Sequence, residues 1–376
     1  MKRSFPALLL GGALCAVTLP AAAAEPNTDQ NFFRLQFQYT ADQDTPDAGY
    51  FRTLFQIRDL FLFDTNDLQL ELDFWSPFET TLALSKWGFF QYHLAIGVEF
   101  GYAIRTNVDA EYLEQNSLYL QTFAGNRFTG ALFARYTFDT NVTAKLSSGV
   151  EFNQYRTNDQ TPMGYVLPED NHGFPIKAAF NARGDAGTDT SWVAMAESAY
   201  VNRSQARAYG LAGERQQFDE GAFGAIRGFL DYDSRWLTGL VGLSALGGSS
   251  RAVRVGAPLV QAGRYDDVLY GFPERALPIS FGALQRASLR VNLFDGLVGP
   301  QIHSALLVAK EDGRSGAHVS HGWGAGLEIR LSIPYIGIYY LSGTYQQGHH
   351  DVERHYSFTT PTDYQVLGTL RTSQIW

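Results

Sequence analysis

Four stretches of the chain alternate apolar and polar side chains with a period of two residues. In 33–39, two Phe, a Leu and a Tyr alternate with Arg and Gln, and the same pattern recurs in 68–74, 94–102 and 327–333. Successive side chains of a β-strand point to opposite faces, so this period predicts strands with one apolar and one polar face. The sequence therefore predicts an all-β protein.

The length of the strands distinguishes between two arrangements. The stretches 50–63 and 128–140 exceed ten residues, whereas strands of soluble proteins usually have about 5–6 residues. Short polar segments at 64–67 and 126–127 are predicted to be turns. In a soluble sandwich the apolar faces would form the core, whereas in a membrane barrel they face lipid and the polar faces line the lumen. Long strands with tight turns favour a transmembrane antiparallel β-barrel.

The N-terminus has the three parts of a secretory signal peptide. Residues 1–3 are positively charged, 7–17 form an apolar core, and 22–24 form a small-residue cleavage site. We expect cleavage between Ala24 and Glu25. No stretch of the sequence approaches the 18 apolar residues that a transmembrane helix needs, so the chain is predicted to cross a membrane with strands.

Removal of the signal peptide, 1–24, would leave 352 residues, 25–376, as one domain. Dividing this length by roughly 22 residues per strand and turn gives about 16 strands, an even number as in single-chain bacterial barrels. The predicted location is the outer membrane of a Gram-negative bacterium. We expect the extracellular loops to fold partly into the lumen. The longer polar loops are predicted at 156–174, 206–221, 262–279 and 348–363.

Composition excludes several functional classes. The single cysteine, Cys15, lies in the signal peptide, so the mature chain can form neither disulfides nor thiolate metal sites. With 27 basic and 38 acidic residues, its net charge of −11 argues against nucleic acid as a partner. The 37 Gly and the many aromatic residues suit twisted strands and aromatic girdles at membrane interfaces.

The end of the chain, 363–376, reads as a strand that closes on Trp376. The last strand of a barrel must pair with the first, predicted to begin near residue 31, and a terminal aromatic suits the membrane interface. We therefore interpret Gly368, Leu370 and Trp376 as part of a C-terminal strand that serves as an assembly signal. Its expected partners are membrane lipid and the barrel-assembly machinery.

A short string in the middle of the chain, Ala225-Ile226-Arg227-Gly228-Phe229, resembles the [VI]-R-G-[FY] tetrad of the BamA/TamA-type assembly-factor superfamily, the bacterial surface antigen family. The resemblance implies a lumen-loop motif of Ile226, Arg227, Gly228 and Phe229. There the arginine would meet acidic and aromatic residues on inner strand faces. An always-charged guanidinium held by carboxylates, followed by a glycine that permits a tight turn, suits that role. The alternative is that the string begins a strand with one lumenal arginine.

A second string, Leu269-Tyr270-Gly271-Phe272, lies in the predicted loop 262–279. The same resemblance places the loop motif just before the last five strands, and this string has that position. It departs from the motif because Tyr270 stands where arginine is expected. The sequence leaves open which of the two loops plugs the lumen. The five strands predicted after it are 281–294, 300–309, 321–332, 335–346 and 363–376.

Two other groups of residues could carry chemistry. His349, His350 and the acidic residues and histidine of 351–355 lie in a predicted polar hairpin loop, for which a solvated turn is the default rather than a metal site. Asn171 and His172 are similar to the pair in the outer-membrane phospholipase family, but no serine is suitably placed after them. We therefore predict no catalytic, cofactor-binding or metal residue, and no enzyme.

The resemblance implies a barrel-only member of the superfamily that acts in protein insertion or export, or in lipid handling. A weak seam between the first and last strands would be its mechanism, and a periplasmic partner protein would supply docking for clients. The alternative is a passive porin, since charged lumenal residues could set solute selectivity. A second alternative is an outer-membrane lipid hydrolase. If neither Arg227 nor Tyr270 lies in the lumen, the resemblance fails.

Overall fold

A computed structural model shows the chain as a single antiparallel β-sheet. The predicted signal peptide, 1–24, lies outside the residues it describes. The described part contains no helix that is long and apolar enough to cross a membrane. The described residues are 32–42, 50–61, 68–76, 79–90, 93–112, 119–139, 141–157, 161, 163–204, 208–210, 220–248, 253–255, 269–270, 277–311, 316–333, 337–350 and 362–375.

Seventeen strands are present in these residues, and all but one have nine or more residues. They are β1 (Phe32–Asp42), β2 (Tyr50–Phe61), β3 (Leu68–Ser76), β4 (Glu79–Phe89), β5 (Leu94–Tyr112), β6 (Tyr119–Asp139), β7 (Val142–Arg156), β8 (Asn171–Asp185), β9 (Thr190–Ser204), β10 (Glu220–Asp233), β11 (Leu237–Gly248), β12 (Val253–Val255), β13 (Leu277–Val291), β14 (Val298–Glu311), β15 (His318–Ile333), β16 (Gly337–His350) and β17 (Thr362–Ile375).

Each long strand pairs antiparallel with the next long strand in the sequence. The three-residue β12 pairs with the start of β13, whereas β11 pairs with β13 directly. The last strand, β17, pairs with β1, from Phe32 opposite Ile375 to Asp42 opposite Gln365. Within the described residues, every long strand therefore has a hydrogen-bonded partner strand on both sides.

The two faces of the sheet differ in exposure, as β11 illustrates. Leu240, Ser244 and Leu246 are buried, whereas the intervening Val241 and Leu243 are exposed. We call the face with the buried side chains the inner face and the other the outer face. Large apolar side chains cover the outer face, among them Phe100, Leu132, Leu146, Phe152, Ile176, Leu243, Ile302 and Leu341.

The connections are short at one end of the sheet and long at the other. Residues 140–141 join β6 to β7, and residues 234–236 join β10 to β11. At the opposite end, residues 157–170 join β7 to β8, and the longest connection, 249–276, joins β11 to β13 and contains β12. We call this last connection the β11–β13 loop. It connects two long strands at the end of the sheet that has the long connections.

The sequence pattern correctly predicted an all-β protein with long antiparallel strands, but it predicted one turn incorrectly. The last five predicted strands correspond to β13 through β17, whose limits differ from the prediction by a few residues. The predicted turn 126–127 is wrong because Asn126 and Arg127 lie inside β6. Arg127 alternates with exposed Phe128 and so occupies the polar inner face. Two adjacent polar residues were a poor turn signal in a strand whose inner face is polar.

Candidate functional site

The string Ile226–Phe229 lies in the middle of β10. Arg227 and Phe229 are buried on the inner face, whereas Ile226 is 55% exposed on the outer face. The prediction of a loop for this string is wrong, because its alternation continues the two-residue period of the strand. The alternative, a strand with one arginine on its inner face, describes it.

Arg227 is held by a carboxylate of the neighbouring strand. Its Nη2 donates to Oε1 of Glu197 in β9 at 2.6 Å, and the two side chains are 10% and 40% exposed. Arg227 lies opposite Met195, and Glu197 lies opposite Ala225, so the pair is diagonal on one face. A buried cation requires such a partner. The pair therefore ties β9 to β10.

The Phe229 ring packs on the inner face against the neighbouring strand, β11. It lies opposite Gly242 of β11, and a Cβ built on Gly242 would overlap the Phe229 ring. Gly228, by contrast, lies on the outer face with no atom within 4 Å of a built Cβ. The φ angle of Gly228 is not positive. Gly228 thus makes no tight turn, which is the role that the resemblance implies for it.

The second string is buried against the sheet. Leu269 is 0% and Tyr270 is 7% exposed, although both belong to the β11–β13 loop. Gly271 and Phe272 lie outside the described residues. Leu269 and Tyr270 form one apolar cluster with residues of β10, β11, β13 and β14 on the inner face. Its other buried members are Ala225, Leu246, Ile279, Leu284, Ala305, Leu307 and Ala309.

Tyr270 touches three consecutive long strands. Its hydroxyl accepts a hydrogen bond from Nη2 of Arg286 in β13 at 3.4 Å. Its ring lies 5.1 Å from the ring of His303 in β14, between centroids. Its carbonyl oxygen lies against Gly322 of β15, where a Cβ would overlap it. The loop therefore reaches the inner face through a backbone contact as well as through its side chain.

Arg286, His303 and Gly322 were not predicted from the sequence as contacts of Tyr270. A signal for Gly322 was present, because Gly322, Gly324 and Gly326 recur with the strand period on the inner face of β15. A row of glycines on one face lets another backbone approach closely. No comparable signal marks Arg286, which is one of several arginines at inner positions.

The inner face of β3 to β8 is polar and carries ion pairs. Nη1 of Arg135 lies 2.9 Å from Oε1 of Glu71, and Nζ of Lys145 lies 2.7 Å from Oε2 of Glu99. A cavity of ≈ 180 Å³ lies on the same side, lined by residues of β4 to β9. The inner face is thus divided into an apolar part covered by Tyr270 and a polar part with open space.

The other predicted residues are placed as follows. Gly368 and Leu370 lie in β17, opposite Tyr39 and Phe37 of β1, and Trp376 lies outside the described residues. The pairing of β17 with β1 covers eleven residue pairs without a register shift, close to the twelve of β16 with β17. The backbone pairing therefore gives no support for the weak seam, which stays a prediction.

The histidine and asparagine candidates are held by ordinary contacts. The ring of His349 lies 5.1 Å from that of His321, whereas 351–355 lies outside the described residues. No group of three metal-ligating side chains occurs in the described part of the chain. Asn171 accepts a hydrogen bond from Asn153, and His172 packs edge-on against Phe174.

Comparisons with known proteins concern the fold. No protein-family model matches the sequence, and no curated protein is similar to it at a significant level. CdiB from Acinetobacter baumannii is similar with a TM-score of 0.58 and 14% identity, over 92% of this chain and 60% of CdiB. BamA from Haemophilus ducreyi, lacking POTRA domains 1–3, gives 0.53 and 10% identity, over 92% and 70%. CdiB from Escherichia coli gives 0.52 and 11%, over 94% and 64%.

These similarities define the class of the protein. CdiB and BamA are outer-membrane β-barrels, and the chain has their fold. At 10–14% identity the likeness extends to the fold and not to the role. The chain spans about 60% of the length of the first CdiB. The protein is therefore of the outer-membrane β-barrel class, with a buried loop segment on the inner face of its sheet.

Proposed function

We propose that the protein is a closed outer-membrane barrel of about sixteen full-length strands whose β11–β13 loop plugs part of the lumen, as in the assembly-factor superfamily. Its proposed role is in protein insertion or export, or in lipid handling, together with a periplasmic partner protein. The observation that carries the proposal is the burial of Leu269 and Tyr270 on the inner face.

The outer face supports a location in the membrane. Exposure of apolar side chains such as Leu132 (68% exposed) and Leu243 to water would be unfavourable, whereas in lipid they would form the apolar band of a barrel. The pairing of β1 with β17 supports closure, because a sheet in lipid must satisfy its backbone groups internally. Gly368, Leu370 and Trp376 would then serve the barrel-assembly machinery as the C-terminal signal.

The place and contacts of the loop support the plug. The loop precedes the last five strands, β13 to β17, as the motif of the superfamily does. The residue that replaces the expected arginine, Tyr270, contacts an arginine of the wall, Arg286. In this chain the wall supplies the cation and the loop supplies the aromatic side chain. This exchange preserves a charge-to-aromatic contact between loop and wall.

The plug is tested by single-channel recording in planar lipid bilayers. We expect a mostly closed pore for the intact protein, and a several-fold larger conductance when residues 258–274 are replaced by a short Gly-Ser linker. Unchanged conductance would remove the plug from the proposal. The insertion role is tested separately, by the rate at which urea-unfolded eight-stranded barrels fold into vesicles with and without the protein. Equal rates would remove that role.

A passive porin is the second candidate, and the open polar part of the inner face favours it. Lys177 is exposed there, and the nearby cavity is lined by charged side chains. A large steady conductance of the intact protein, with the loop in place, would favour the porin over the plugged barrel. The hydrolase alternative gains no support from Asn171 and His172, because no serine is suitably placed after them.

A further inference from the structure

The Tyr270 ring of the β11–β13 loop lies on an imidazole of the wall. The rings of Tyr270 and His303 of β14 are 5.1 Å apart between centroids, and their planes are inclined by 31°. Cδ2 of His303 lies against Gly324 of β15, 3.7 Å from the position that a Cβ on this glycine would take. The loop and the wall both contact the imidazole, so its surroundings change when the loop leaves the inner face.

The His303 imidazole has an unused hydrogen-bonding atom in this arrangement. Its Nδ1 is buried and forms no hydrogen bond with any described residue. Directly opposite His303 are Ser288 of β13 and Gly324 of β15. On β14 itself the charged residues, Lys310 and Glu311, are the last two of the strand. A protonated imidazole has two N–H donors, and a buried charge is unfavourable without a compensating partner.

The charged groups that face His303 from the neighbouring strands do not stabilise a positive ring. Arg286 and Arg290 of β13 are its two diagonal neighbours on the inner face, and Arg286 donates to the Tyr270 hydroxyl. The carboxylate of Glu328 in β15 lies 3.3 Å from Nε of Arg290. Glu328 is also four residues, or roughly 13 Å, from the residue of β15 opposite His303. A proton on His303 would therefore place a third cation beside two arginines.

We propose that His303 is an acid-sensitive switch for the plug: the β11–β13 loop stays on the inner face while the imidazole is neutral, and protonation of the imidazole releases the loop. This inference rests on the proposed plug and adds a condition under which it opens. When Tyr270 leaves, water reaches the ring and can hydrate its charge. Acid therefore favours the released loop, and neutral pH favours the closed one.

Linkage between protonation and loop release gives the expected size of the effect. An imidazole in water titrates at about pH 6.5. Because the closed loop excludes the proton, the ratio of released to closed protein should rise about 30-fold between about pH 7.5 and about pH 5. Closure is unaffected by pH well above about pH 6.5, and below it the ratio rises by up to about tenfold per pH unit.

Single-channel recording in planar lipid bilayers at about pH 7.5 and about pH 5 tests the switch. We expect the open probability of the unaltered protein to be at least about tenfold higher in acid. Acid also protonates carboxylates elsewhere, so two variants carry the decision. His303→Gln removes the titration, and His303→Phe removes it while keeping a ring against Tyr270. Each variant should have the same open probability at both pH values. They differ in size, so if one fails to fold the other decides.

The matched control is His321→Gln, which removes an exposed histidine from the outer face of β15 and should leave the acid response intact. The proposal is overturned if the unaltered protein is equally closed at both pH values. It is also overturned if a folded His303 variant opens in acid as the His321→Gln protein does.

The protein in which a Gly-Ser linker replaces residues 258–274 separates failure of the plug from failure of the switch. If its conductance is no larger than that of the unaltered protein, the plug itself fails. If its conductance is larger but the unaltered protein does not respond to acid, the plug stands and the switch fails.

Discussion

Gly322 of β15 and Tyr270 of the β11–β13 loop meet through their backbones: a Cβ on Gly322 would overlap the Tyr270 carbonyl oxygen. This relationship makes the loop position depend on the absence of one methyl group. The end of a flexible side chain can rotate away from an added atom, but a backbone carbonyl oxygen moves only when the backbone moves.

Gly322→Ala is accordingly expected to displace Tyr270 from the inner face. Overpacking at such a site costs about 1–3 kcal/mol, and moving the loop is the way to relieve it. We expect a higher single-channel conductance and faster proteolytic cleavage within the loop than in the intact protein.

The matched control is Gly343→Ala in β16, where no atom lies within 4 Å of a built Cβ. It should leave conductance and proteolysis at their original values. If the Gly322→Ala protein has the same conductance and the same rate of proteolytic cleavage as this control, the contact with Gly322 does not hold the loop in place.

Gly242 and Gly228 should respond oppositely to the same substitution. Gly242→Ala places a methyl group in the buried Phe229 ring, so we expect a loss of about 1–3 kcal/mol in the free energy of unfolding. Gly228→Ala adds a methyl group to open space on the outer face, and we expect a change within about 0.5 kcal/mol.

Urea unfolding from detergent micelles, followed by tryptophan fluorescence, measures both changes. A large loss at Gly228 would mean that this glycine is needed for its conformation, as the loop motif requires and the strand does not. Equal effects at both positions would contradict the packing of Phe229 on Gly242.

The strands were predictable because lipid and lumen impose a period of two on the sequence. The pattern around Leu327 and Leu331 predicted β15, and the structure shows both side chains exposed on its outer face. The same period explains why the turn predicted at Asn126 and Arg127 was wrong. A polar pair reads as a turn when the surrounding strand is assumed to be apolar, but one face of each of these strands is polar.

The site was predictable only in part. The local sequence of Ile226–Phe229 matches the loop motif, with a strand that carries one lumenal arginine as the alternative, and hydrogen bonding on both sides places this string in β10. Tyr270 was singled out by its position before five strands, not by its residue type. Its partners Arg286 and His303 are distant in sequence, and which inner positions meet a loop depends on the register of the whole sheet.

Insertion in lipid predicts a depth-dependent cost for charge on the outer face. Leu243 is 62% exposed in the middle of β11, whereas Leu297 is exposed in the turn between β13 and β14. Arginine at the middle of the apolar band costs about 2–4 kcal/mol and near the interface about 0–1 kcal/mol. We expect Leu243→Arg to be strongly destabilised and Leu297→Arg to be near neutral.

The measurement is urea unfolding of the two variants and of the unaltered protein from phospholipid vesicles. If Leu243→Arg is tolerated as well as Leu297→Arg in vesicles, then the outer face of β11 does not lie in the hydrocarbon core, and the membrane assignment loses its main physical support.

The ion pair of Arg227 with Glu197 predicts non-additive effects on stability. Glu197→Gln removes the charged group that lies 2.6 Å from the buried guanidinium, and Arg227→Gln leaves the carboxylate, which is 40% exposed, in reach of water. Because water screens the exposed end, we expect a coupling energy of about 1 kcal/mol rather than the larger values of fully buried pairs. The double variant should therefore be more stable than the sum of the single losses implies. Strict additivity in a double-mutant cycle of urea unfolding would show that the diagonal contact between β9 and β10 contributes nothing to stability.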